Sequence, residues 1–211
     1  MTDIHGLPKT TVLKRRDQVS VRCGAVFCGC LSLASLNWQH TERSREKNVS
    51  NEAYLITSKE ISDLEGVSKT HFLNPNAQRL NKSLGDLAGL TGFGFHIIEV
   101  QPGHETTEHH CHHHEDECVF VLAGTATAFI GDDEHTITTG DFIGYRKGGL
   151  AHSIKNTGDD VLRCIVVGER LAHDVGDYTR LGKRIYRNAG MAWNLVDHAQ
   201  ITKISGSVGK K

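Results

Sequence analysis

The stretch Glu108-His109-His110-Cys111-His112-His113-His114-Glu115-Asp116-Glu117 holds five of the chain's fourteen histidines, with carboxylates on either side. Imidazole nitrogen and carboxylate oxygen are the usual ligands of first-row divalent ions. In an extended chain alternate side chains share a face. His110, His112 and His114 then point one way, and His109, Cys111 and His113 the other. Glu117 has the wrong parity to join His112 on one straight strand. It reaches the same centre if the chain turns within residues 113–116 and Glu117 opens the next strand, as the apolar run Cys118-Val119-Phe120-Val121-Leu122 suggests. The competing reading is a solvated histidine tract that collects metal adventitiously. A built site needs a ligand from elsewhere, and His152, in Gly149-x-x-His152, offers one. His104, His109, His113 and His135 read as surface residues, and His114 as a spare ligand or a group behind the ligands.

The elements that must position these residues are short strands. Residues 93–100, 109–113, 116–122, 125–130, 135–138, 142–145, 153–156 and 161–167 are rich in β-formers and separated by glycine-containing or polar turns. Glycine is abundant, with 22 residues, and proline rare, with three, which suits a small barrel or jelly roll with tight turns. Upstream, Tyr54 begins a short strand. Residues 58–65 read as one or two helical turns capped by Ser58, with Ile61 and Leu64 on one face. Residues 73–92 read as loop.

The spacing His110-x-His112, four residues, Glu117, six residues, Gly124, followed by Gly140, Gly149-x-x-His152 and Asn156, resembles the two motifs of the cupin superfamily, G-x5-H-x-H-x3,4-E-x6-G and G-x5-P-x-G-x2-H-x3-N. Gly103 precedes His110 by one residue more than the pattern, Arg146 or Lys147 stands in place of proline, and one extra residue separates Gly140 from His152. The resemblance covers residues 92–168. It implies an all-β fold, a single cupin-type β-barrel (jelly roll) that binds one divalent transition metal (Fe, Mn, Ni or Zn) through His110, His112, Glu117 and His152. The domain reading is therefore an irregular N-terminal arm at 1–50, a lead-in wrapping the barrel at 51–91, the barrel at 92–168, and a tail at 169–211 that packs on the barrel or on a partner subunit.

Composition narrows the partners. The chain has 211 residues and a net charge of −1, so no electrostatic footprint for nucleic acid or an anionic membrane is expected. Aromatic residues, at 6%, are too sparse for a base-stacking platform. In the arm, Lys14-Arg15-Arg16 and Arg22 precede an apolar run at 23–36 that glycine and serine interrupt. It lacks a small-x-small cleavage site and is too short to span a bilayer. Cys23, Cys28, Cys30, Cys111, Cys118 and Cys164 do not form a CxxC pair of pairs, and the last three read as small apolar groups in strands. A reducing cytoplasm is the simplest setting.

Three imidazoles and one carboxylate leave positions on the ion for water or substrate, as metal-assisted catalysis requires. Arg146 and Lys147, if they face inward, favour a carboxylate or phosphate substrate; the alternative is an exposed turn. Tyr145 is placed to donate a proton or to pack. Cupins include dioxygenases, sugar and sugar-phosphate isomerases, decarboxylases, lyases and non-catalytic binders, and fold alone does not choose among them. Two readings follow. One is a metal-dependent enzyme acting on a sugar-like, sugar-phosphate or organic-acid small molecule; the other is a ligand-binding or sensing module without turnover. A homodimer is expected, because single small cupin barrels often pair through a sheet face.

Overall fold

Period-two apolar patterning makes the strands of this chain, and left-handed glycines end many of them. The computed structural model describes residues 54–204 and 206. The expected N-terminal arm at 1–50, with Cys23, Cys28 and Cys30, lies outside the described residues. Strands β1 (Val67–His71), β2 (Asn74–Ser83) and β3 (Phe93–Val100) are followed by β4 (Cys111–His112), β5 (Glu117–Ala123), β6 (Thr125–Ile130), β7 (Asp133–Thr138), β8 (Phe142–Tyr145), β9 (His152–Lys155) and β10 (Leu162–Glu169). Three more strands close the chain: β11 (His173–Tyr178), β12 (Lys183–Asn188) and β13 (Asn194–Asp197). All are antiparallel, in sheets ordered β1-β2-β3-β10-β5-β8, β13-β12-β11-β4 and β7-β6-β9. This is the all-β cupin-type architecture that the sequence implies.

The core is where the inward positions meet. Val100, Val121, Ala126, Ala128, Leu162 and Cys164 are fully buried, and Ile98, Val119, Ile137 and Ile154 pack with them. Gly124 makes the sharp passage from β5 to β6. Its φ is +92°, and a Cβ there would lie 3.0 Å from the Leu162 Cα, so both conformation and space demand glycine. Asn156 is fully buried, and its amide donates to the carbonyls of Val100 and Asp160 at 2.8 and 2.9 Å. It ties the end of β9 to β3.

Two local expectations are corrected. The first helix, α1 (Ser58–Asp63), is capped by Thr57 rather than Ser58, through a reciprocal capping box with Glu60. Residues 73–92 are not loop throughout: β2 occupies ten of them and pairs with β1 and β3. The polar sequence of β2 hides a strand whose inner face lines a cavity instead of an apolar core. The tail contributes β11, β12 and β13, and β11 pairs directly with β4, Gly176 opposite His112 and Asp177 opposite Cys111. No described helix is long and apolar enough to cross a membrane.

Candidate functional site

The two motifs meet through backbone pairing. His110 N–H donates to the His152 carbonyl at 3.0 Å, and His152 N–H returns a bond to the His110 carbonyl at 2.7 Å. A directly opposed pair in an antiparallel ladder presents its side chains to the same face. Imidazole rings more than forty residues apart in sequence therefore lie with centroids 4.8 Å apart. Between Gly140 and His152 the chain turns after β8, where Gly148 has a φ of +65° and Gly149 N–H bonds back to the Arg146 carbonyl.

The ring orientations share one logic. His110 Nδ1 lies 2.8 Å from the Glu108 carbonyl, His112 Nδ1 lies 2.7 Å from Asp174 Oδ2, and His152 Nδ1 lies 3.3 Å from the Leu150 carbonyl. In each case the partner accepts, so Nδ1 carries the hydrogen and Nε2 keeps its lone pair. His110 Nε2 and His112 Nε2 face each other at 3.1 Å, and Glu117 Oε1 lies 3.8 Å from His152 Nε2. Two lone-pair nitrogens at that separation have nothing to share unless a cation or a donor lies between them. His110, Glu117 and His152 can all reach one ion. Acceptor nitrogens steered by outer hydrogen bonds and a half-buried carboxylate match the donor set of a divalent metal.

Electrostatics agree with this fit. Burial holds the His110 imidazole well below its ordinary value, helped by repulsion from His152 and His112. Burial likewise brings His152 down to about 4, so both rings are neutral at neutral pH, the form a metal needs. Burial raises the Glu117 carboxyl. Arg79 and Arg187 lend Glu117 some positive field, and a bound divalent ion would add to it.

Asp174 and Glu115 stand behind the histidines. Asp174 from β11 is 2% exposed, accepts from His112 and pairs with Arg187 of β12, which also engages Glu115. Burial opposes ionisation of Asp174, but hydrogen bonds from His112 and Arg187 override it and hold the carboxyl well below the usual range. His112, Glu115 and Asp174 form a possible ligand group of their own, yet the Arg187 guanidinium already occupies the space between the two carboxylates. A third group, Cys111, His113 and Asp177, is similarly spoken for: Arg184 forks onto both Asp177 oxygens at 2.7 Å, and His113 and His198 complete its partners.

The centre opens into a cavity of about 600 Å³. Among the described residues, three buried side-chain atoms lack a hydrogen-bond partner: Arg79 Nε, Tyr145 Oη and His152 Nε2. All three residues line this cavity. Tyr145 stacks flat on His152, with centroids 3.6 Å apart and planes within 3°. Tyr178 and His71 form a second polar pair on the wall at 3.4 Å. Leu73 N–H donates to His71 Nδ1, so His71 carries its hydrogen on Nε2 and gives it to the Tyr178 oxygen, leaving the Tyr178 hydrogen free.

Of the sequence-predicted residues, His110, His112, Glu117, His152 and Tyr145 converge on the cavity. Arg146 and Lys147 do not line it; both are exposed in the turn after β8, and Lys147 N–H bonds to Asp116. His109 is buried, not a surface residue, at 3% exposure, with Nδ1 3.1 Å from Ser153 Oγ. Sequence reasoning missed Arg79 and His71, and also Asp174 and Arg187. The signal for Arg79 was alternation along β2, hidden by its polar residues; the partners of His112 carried no local signal, because pairing across β11 and β4 creates them.

Comparison with known proteins matches the fold to these motifs. The cupin domain family model matches residues 96–168. No protein of curated function matches. Among solved structures, a candidate sugar phosphate isomerase from Acidithiobacillus ferrooxidans is 49% identical over 72% of this chain and 97% of its own, with a TM-score of 0.70. A sugar phosphate isomerase of the cupin superfamily from Silicibacter pomeroyi shares the fold at 22% identity and a TM-score of 0.60, over 71% of this chain and 98% of its own. Near-half identity along almost the full length of a solved relative, and two motifs folded around one centre, make this chain a member of the cupin superfamily.

Proposed function

We propose that this cupin is a metal-dependent enzyme acting on a sugar phosphate or similar small molecule, with isomerisation as the reaction class. The observation that carries this reading is the convergence of the three unpartnered buried side-chain atoms among the described residues on one cavity that ends at His110, His112, Glu117 and His152. A pocket of this size takes a small metabolite, and the relative from A. ferrooxidans adds the substrate class.

In this reading His110, His112, Glu117 and His152 hold a divalent ion (Fe, Mn, Ni or Zn), which would polarise a substrate carbonyl or hydroxyl oxygen as a Lewis acid. The chain's own residues do the rest. Burial pushes the Tyr178 phenol up to about 12 and raises Tyr145 as well, so both stay protonated and can donate to substrate oxygens. The aromatic and aliphatic walls, with Val119, Ile98 and Ile185, limit water at the centre.

The test begins with the metal content of untagged protein by mass spectrometry. A panel of aldose and ketose phosphates is then followed by NMR with and without chelator. Metal-dependent interconversion of one aldose–ketose pair is expected. Saturable binding with no product, at any metal loading, contradicts the enzyme reading and leaves a sensing module.

We further infer a homodimer. Phe120 and Phe142 lie directly opposite each other on neighbouring strands at 40% and 65% exposure, an apolar pair suited to covering by a second copy. Light scattering of the full chain should give twice the monomer mass at micromolar concentration, and Phe142→Glu should halve it. A monomer mass for the unaltered chain contradicts the inference.

A further inference from the structure

The cavity wall away from the histidines has an unusual charge pattern. Lys69 on β1 and Arg79 on β2 are directly opposed in register, and both line the cavity. Like charges directly opposite across a strand pair repel. Arg79 is half-buried: burial lowers its guanidinium from the ordinary value, and the carboxylate whose field it feels is Glu117. One of its terminal nitrogens donates to the Thr106 carbonyl, while Nε is buried and has no partner. Two neighbouring side chains extend the polar wall. Asn81 donates to His96 Nδ1 at 3.3 Å, and both line the cavity. A half-buried guanidinium with an unused N–H stands directly opposite the exposed like charge of Lys69, and a single bound oxyanion would give both cations a partner.

We propose that Arg79 and Lys69 form an oxyanion subsite in the cavity wall, which takes the phosphate group of a phosphorylated substrate whose other end faces the His110–His112–Glu117–His152 centre. The placement relative to the centre rests on the enzyme reading above; the subsite itself does not. The planar fork of Arg79 and the point charge of Lys69 together suit a tetrahedral dianion better than a carboxylate. The exposed pair Arg146 and Lys147 has no part in it.

Isothermal titration of inorganic phosphate into the full chain as purified tests the subsite directly. The unaltered chain should saturate with a millimolar or tighter dissociation constant. Arg79→Gln should weaken phosphate about tenfold or more, and Lys69→Gln roughly threefold. Metal content should be unchanged in both. Acetate should bind at least about tenfold more weakly than phosphate, having one charge and two oxygens to offer. His152→Ala, which strips the metal centre, should retain phosphate binding. Should Arg79→Gln fail to fold, Arg79→Lys keeps the charge and loses the fork, and should still weaken phosphate severalfold.

Phosphate binding unchanged by Arg79→Gln, or by both Arg79→Lys and Lys69→Gln, overturns the proposal. So does binding lost in His152→Ala, which would put the anion on the metal, and so do equal affinities for acetate and phosphate or no saturation at all. Arg79-dependent phosphate binding in a chain that converts no sugar phosphate would sink the enzyme reading and leave the subsite standing.

Discussion

His152→Ala is expected to lower bound metal from about one ion per chain to roughly a tenth of that or less, because a centre that loses one of four ligands loses most of its affinity. The melting midpoint should fall with it. An ion present at a thousandfold over its dissociation constant stabilises the folded chain by about 4 kcal/mol, and that contribution disappears. Removing the ring also strips Tyr145 of its stacking partner. His113→Ala is the control: its ring faces Asp177, away from the centre, and metal content should be unchanged. An adventitious histidine tract would behave the other way. His113 would then count as much as any neighbour, and His152, outside the tract, would not matter.

Asp174→Ala should be the most destabilising change outside the core. Breaking a buried ion pair by removing one partner costs about 3–5 kcal/mol. Glu115 still engages Arg187, so a loss of about 2–3 kcal/mol is expected here. His112 would lose the acceptor that fixes its tautomer, and metal affinity should drop by about ten- to a hundredfold, the usual cost of losing such a partner. Acid sensitivity should change too. The folded Asp174 carboxyl is held below its unfolded value, so its contribution is fully present above about pH 4 and is lost as pH falls further. Asp174→Asn should therefore lose less stability than the unaltered chain between pH 4 and the acid limit. Denaturant melts at several pH values, with metal analysis of the same samples, check both statements.

The candidate ligands were legible because they are local: His110, His112, Glu117 and His152 sit at fixed spacings beside strand-forming runs and glycine turns. Gly124 and Asn156 were legible as motif positions, and their reasons emerge from the fold, a left-handed backbone against Leu162 and an amide that ties two strands. What surrounds the ligands was not legible. Asp174 and Arg187 reach His112 only because β11 pairs with β4, and nothing in a tail of mixed polar residues specifies that register. Arg79 was hidden for a different reason. A strand lining a polar cavity alternates polar with polar, so β2 carries no hydrophobic period to read. The pair Arg146 and Lys147 drew attention by type and position, yet both lie exposed in the turn after β8.

Three imidazoles and a carboxylate from two separated motifs are proposed to hold one ion. X-ray absorption spectroscopy on the full chain loaded with one equivalent of zinc tests this most directly. The account predicts a nitrogen and oxygen shell at about 2.0–2.2 Å with the outer scattering of three imidazole rings and no sulfur. A sulfur shell at about 2.3 Å would move the ion to the Cys111, His113 and Asp177 group, and scattering from a single imidazole would contradict a built centre altogether.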